Sequence, residues 1–179
     1  REGPAELLLP AFLQEGEHRR DVDDPARLAV VGRDEPRHLP RLARGVVHNP
    51  MSNLRLGSGV ANTRAMLSAG IRLGIGTDAS NTSDGQNMFE ALRLASYLSR
   101  VNSTVLDHWL SAEEVVSAAS EGSAGILGFD RIGKIQVGFK ADIVFLDLTH
   151  INYVPLRSPV LQMAYAENGA AVDSVMVDG

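Results

Sequence analysis

Apolar residues in this chain fall into short β-branched runs and longer stretches of helical period, and both become regular from Gly45 onward. Val46-Val47 is a β-branched pair bounded by Gly45 and by Asn49-Pro50, which predicts the end of a buried strand. Val60, Arg64, Met66 and Leu67 follow a helical spacing, so a helix is predicted to open at Ser58 or Gly59 and to stop at Gly70. Ile71 to Gly76 reads as the next strand, with Thr77-Asp78 at its C-terminal end. Strand, helix, strand at this spacing is a βαβ unit, whose two strands run parallel.

Met88, Phe89, Leu92, Leu94, Ala95 and Leu98 form the apolar face of a second helix, which Ser83 or Asp84 would cap. Ser111 and Glu114 have the spacing of a capping box, and Val115, Val116, Ala119, Ala124 and Leu127 continue a third helix up to Gly128. After Asp130 the pattern turns β-like. Lys134 to Val137 and Ala141 to Asp147 are separated by a turn at Gly138, and Val172 to Asp178 alternates with period two. Leu161 to Ala166 reads as a short helix.

Upstream, residues 1–45 carry Pro4, Pro10, Pro25, Pro36 and Pro40, and a run such as Gly16 to Asp24 has neither strand nor helix period. The predicted organisation is therefore a loop-rich, poorly ordered segment over 1–45, an α/β portion over 46–130, and a smaller β-rich portion over 131–179.

Composition narrows the function classes. Lysine and arginine total 17 against 22 acidic residues, a formal charge of −5, which does not suit a nucleic-acid surface. The chain has no cysteine, so any metal site must use histidine, carboxylate or water. No apolar run approaches the roughly 20 residues that span a bilayer, and no signal-peptide pattern follows Arg1-Glu2-Gly3-Pro4. The expectation is a cytoplasmic protein without membrane partners; self-association into a homo-oligomer is left open.

Two polar clusters sit just beyond the ends of the two parallel strands: His48 to Asn53, and Thr77 to Asn81. In parallel α/β folds the C-terminal strand ends form the site face. Neighbouring strands lie about 4.8 Å apart, so His48 and Asp78 can face one pocket. A strand-end carboxylate is a hard ligand for zinc or iron and a base for metal-activated water, and a nearby imidazole can move a proton or bind developing negative charge. Each residue also has a structural reading: His48 as a packed, hydrogen-bonded histidine, Asp78 as a cap, and Asn53, Ser80 and Asn81 as turn residues. Gly57-Ser58-Gly59 is weak as a phosphate turn because it does not come directly off a strand. His108 and His150 are expected to be structural or solvated, and Asp84, Gln86 and Asn87 to serve the start of the second helix.

His48-Asn49-Pro50-Met51-Ser52-Asn53-Leu54-Arg55-Leu56-Gly57-Ser58-Gly59, followed by Gly74-Ile75-Gly76-Thr77-Asp78-Ala79-Ser80, resembles the amidohydrolase superfamily, nearest its aminohydrolase and chlorohydrolase branch. Ile132 to Val144 looks like the segment in which that family's chain leaves its barrel for a β-sandwich domain, and Val172 to Gly179 resembles a late sandwich strand. The resemblance implies the last two βα units of a TIM-type (β/α)8 barrel followed by part of a small β-sandwich, hence a C-terminal piece of such an enzyme. It implies metal-dependent hydrolysis of a C–N bond (or C–Cl bond) in a small heterocyclic substrate. By position, His48 matches a substrate-contacting or proton-moving histidine, and Asp78 matches the aspartate that binds the divalent metal, zinc or iron. Asn53 and Ser80 would shape the substrate pocket.

The family's other metal histidines lie on earlier strands. His18 and His38 do not fit that pattern, so the resemblance implies an incomplete metal site. The alternative is therefore a non-catalytic fragment. An open piece of barrel also leaves strand edges and apolar helix faces to drive association.

Overall fold

The computed structural model describes residues 45–179; the expectation for residues 1–45, with His18 and His38, falls outside them apart from Gly45 itself. Strand β1 (Gly45–His48) pairs in parallel with β2 (Arg72–Ile75), in the one-to-one register Gly45 with Arg72 through His48 with Ile75. The predicted βαβ unit is therefore present, and one further bond, from Gly76 N to His48 O at 3.1 Å, carries the pairing past the strand end.

Its connection differs from expectation. Helix α1 (Pro50–Arg55) starts immediately after β1, where a polar loop was predicted, because Pro50 occupies the first turn, where a missing N–H costs nothing. Helix α2 (Thr63–Ser68) starts later than Ser58 or Gly59: Asn62 caps it by accepting from Ala65 N. Gly70 follows with φ of 76°, the left-handed stop the sequence indicated.

Beyond β2, the short α3 (Ser80–Ser83) precedes α4 (Met88–Asn102). The cap of α4 is Asn87, whose side chain accepts from Phe89 N and Glu90 N, and not Ser83 or Asp84. Ser83 lies inside α3, and Asp84 turns the chain at φ of 57°. Helix α5 (Ala112–Ser117) carries the predicted capping box between Ser111 and Glu114. It runs through a π-helical segment, Ala118–Gly122, into α6 (Ser123–Leu127), which stops at left-handed Gly128.

The β-rich portion contains β3 (Ile143–Leu146), α7 (Pro159–Tyr165) and β4 (Val172–Met176), with β3 and β4 antiparallel. Lys134 to Val137 is not a strand. Ile135 is 85% and Val137 101% exposed, and the segment ends in a turn closed by Phe139 N to Gln136 O. With no strand pairing to it among the described residues, its β-branched side chains have nothing to pack on. The described fold is thus mixed α/β with two separate two-stranded sheets.

The main core joins Leu73 and Ile75 of β2 to Ala91, Leu92 and Ala95 of α4, Val115 of α5 and Ala164 of α7. A smaller cluster of Val46, Ala61 and Met66 fixes α2 against β1. Arg64 ties α2 to α5 through two hydrogen bonds to the Glu114 carboxylate, at 2.9 and 2.8 Å, and one to Trp109 O.

The outer edge of β2, opposite β1, is covered. Ser123 Oγ accepts from Ile75 N at 3.1 Å, and the hydroxyl lies 3.1 Å from both Ile75 O and Ala118 O, either of which can take its proton. Gly122 makes this approach possible, because a Cβ there would run into the backbone carbonyl of Leu73. Backbone cannot swing aside as a side chain can. Gly122→Ala is expected to destabilise the fold by about 3 kcal/mol, at the upper end of overpacking costs, read as a lowered urea midpoint. An unchanged midpoint would show that this edge contact is absent in solution.

Candidate functional site

His48 ends β1 and is buried, with 3% of its surface exposed. Burial removes water from the charged imidazolium and holds its pKa at about 4, well below the ordinary 6.5, so the ring is neutral near pH 7. Asp78 lies three residues beyond Ile75, the register partner of His48, so both predicted residues emerge at the same C-terminal strand end.

Asp78 is half-buried with φ of 63°, a left-handed turn that an aspartate tolerates better than most residues. Its two carboxylate oxygens are held separately. Oδ1 accepts from Ala79 N at 2.8 Å, and Oδ2 accepts from Ser52 Oγ at 2.6 Å. Gln86 Nε2 donates to the Asp78 carbonyl at 3.3 Å.

Ser52, which donates to the Asp78 carboxylate, was not singled out by the sequence. It sits on α1, buried, one residue before Asn53. The sequence signal was Pro50: a proline at the first helical position makes Ser52 part of a fixed helical turn and not of a free loop. A second tie joins the same two loops, since Arg55 of α1 forms an ion pair with Asp84.

The other expected residues divide. Asn53 is buried, and its backbone closes α1 by donating to Asn49 O and accepting from Ser58 N. Ser80 is exposed at the first position of α3. Asn87 caps α4 and reaches across to Asn168 O at 2.8 Å. His108 lies in a 3-10 turn, paired with Ser103 Oγ, and His150 accepts from Asn152 N, so both have local structural partners. Gly76 lets the strand ends close up: a Cβ there would lie 2.6 Å from Asn49 Oδ1.

A hydrogen bond to each oxygen of Asp78 leaves each with a further lone pair, so the carboxylate fits the part of a metal ligand. Among the described residues, no three histidines or carboxylates converge as a complete metal site. No described helix is long and apolar enough to cross a membrane.

Comparison with known proteins extends this picture. The family described as the amidohydrolase family matches residues 32–179, starting upstream of the Gly45 boundary drawn from the pattern. A 5-methylthioadenosine/S-adenosylhomocysteine deaminase from Carboxydothermus hydrogenoformans is 38% identical over 154 residues, 86% of this chain and 35% of that protein. Among solved structures, an adenosine deaminase from Xanthomonas campestris with bound zinc superposes at a TM-score of 0.72 with 38% identity, over 75% of this chain and 31% of that one. An atrazine chlorohydrolase from Arthrobacter aurescens complexed with zinc superposes at 0.78 with 30% identity, over 85% and 35%. The chain thus spans about a third of the length of the relatives it matches.

The buried neutral His48 has a pH signature. A folded-state pKa below the unfolded value gives stability that is present above pH 6.5 and lost as pH falls through about 4. The loss should reach on the order of 3 kcal/mol once the pH is below both values. His48→Gln is expected to flatten this acid limb in urea titrations taken from pH 7 to 4. Parallel curves for the two proteins would mean that the imidazole is hydrated.

Proposed function

The chain belongs to the amidohydrolase family, and from that membership we propose that it is the C-terminal part of a hydrolase acting on a C–N bond of a small amino-substituted heterocycle. Residues 46–130 are read as the last two βα units of a (β/α)8 barrel, and residues 131–179 as part of a β-sandwich. The observation that supports the reading is that β1 and β2 run parallel in register, so that the buried, neutral His48 and the residue Asp78 lie beyond the same strand ends. The deaminase and chlorohydrolase names of the relatives support both the reaction class and the heterocycle. The cytoplasm remains the proposed place of action.

In this reading a divalent metal, zinc or iron, supplies a water acidic enough to lose its proton near neutral pH. Asp78 would be one of the residues that hold the metal, and its carboxylate would be the group placed to accept a proton. His48, neutral, donates its N–H towards the substrate and favours the negative charge that develops as water adds to the ring carbon. Asn53 and Ser80 border the substrate. The remaining metal ligands come from outside the described residues. A second reading, a non-catalytic fragment, draws on the lack of three converging ligands among the described residues.

The 179-residue chain given zinc and assayed for ammonia release from adenosine is expected to bind the metal weakly and to show no turnover, since a zinc site takes three or four protein ligands. Asp78→Ala should abolish what zinc binding there is. One tightly bound zinc per chain together with ammonia release would remove the fragment reading, whereas zinc binding indifferent to Asp78→Ala would sink the assignment of Asp78.

A further inference from the structure

We propose that Ser52 is a positioning residue for the Asp78 carboxylate, fixing the orientation in which that group meets a metal; the proposal rests on the reading of Asp78 as a ligand. The bond from Ser52 Oγ to Asp78 Oδ2 is 2.6 Å long and spans 26 residues of chain. That length falls within the roughly 2.5–2.7 Å of a hydroxyl donating to an ionised carboxylate. Ser52 is itself buried, 3% exposed, in α1.

Two bonds are needed for this control, and they come from different elements. Ala79 N, the next residue along, holds Oδ1 at 2.8 Å. With Oδ1 held alone, the carboxylate can still pivot about that bond. Ser52, reaching over from α1 beyond the other strand, takes Oδ2 and stops the pivot. The lone pairs left on the two oxygens then point in fixed directions, as a ligand requires. A serine that merely stitched two loops together would affect stability without setting the Asp78 side-chain angles.

The test compares the 179-residue chain with S52A and D78A by NMR, reading the Asp78 side-chain couplings without metal and the shift of the Ala79 amide as zinc is added. The wild-type Asp78 is expected to hold one rotamer. S52A, with an otherwise preserved amide spectrum, should show averaged couplings and zinc affinity weaker by roughly 10–100-fold. A single Asp78 rotamer and unchanged zinc affinity in S52A would overturn the proposal while leaving Asp78 as a ligand. Zinc shifts that persist in D78A would overturn the ligand reading, and the couplings would still judge Ser52. Should S52A fail to fold, the wild-type chain decides: one rotamer with a slowly exchanging Ser52 hydroxyl supports the proposal, and averaged couplings refute it.

Discussion

The parallel pairing of β1 with β2 is the constraint on which the rest of the described structure depends. Their one-to-one register sets His48 opposite Ile75 and so brings the two strand-end loops side by side. A shift by one residue would move Leu73 and Ile75 off the face they share with α4 and α5, and would carry Asp78 away from Ser52. Core and site are thus specified by the same alignment. Neither strand end holds the Asp78 carboxylate alone: Ala79 follows β2, and Ser52 comes from α1, which follows β1.

Much of this was legible in the sequence where a local signal decides the outcome. The capping box at Ser111 and Glu114 and the stops at Gly70 and Gly128 depend on neighbouring residues, and they formed as expected. The strand-end placement of His48 and Asp78 was legible because the β-branched runs flanking the first helical stretch mark a parallel unit. What was missed depends on partners far along the chain. Ser52 is unremarkable until α1 sets it against Asp78, and Lys134 to Val137 has strand-forming residues but no strand to pair with among those described. The start of α4 was misplaced because Ser83 and Asp84 are good caps by type, but Asp84 is committed to a left-handed turn and to Arg55.

The electrostatics of the two strand-end groups are set in opposite ways. His48 is isolated from water and so loses its charge. The carboxylate of Asp78 is surrounded by donors suited to an anion.

The covering of β2 by Ser123 has a consequence for how copies of this chain meet. A bare parallel edge is a template for the next strand, and polymerisation along such edges needs no fit beyond the ladder itself. Here the Ile75 amide and carbonyl already face a hydroxyl, and Gly122 crowds the carbonyl before them. An incoming strand must first evict a helix, so growth along β2 is gated by an internal competitor tethered to the same chain. Exposed apolar side chains such as Ile135, Val137 and Val177 offer a separate route, since contact through them needs no strand pairing.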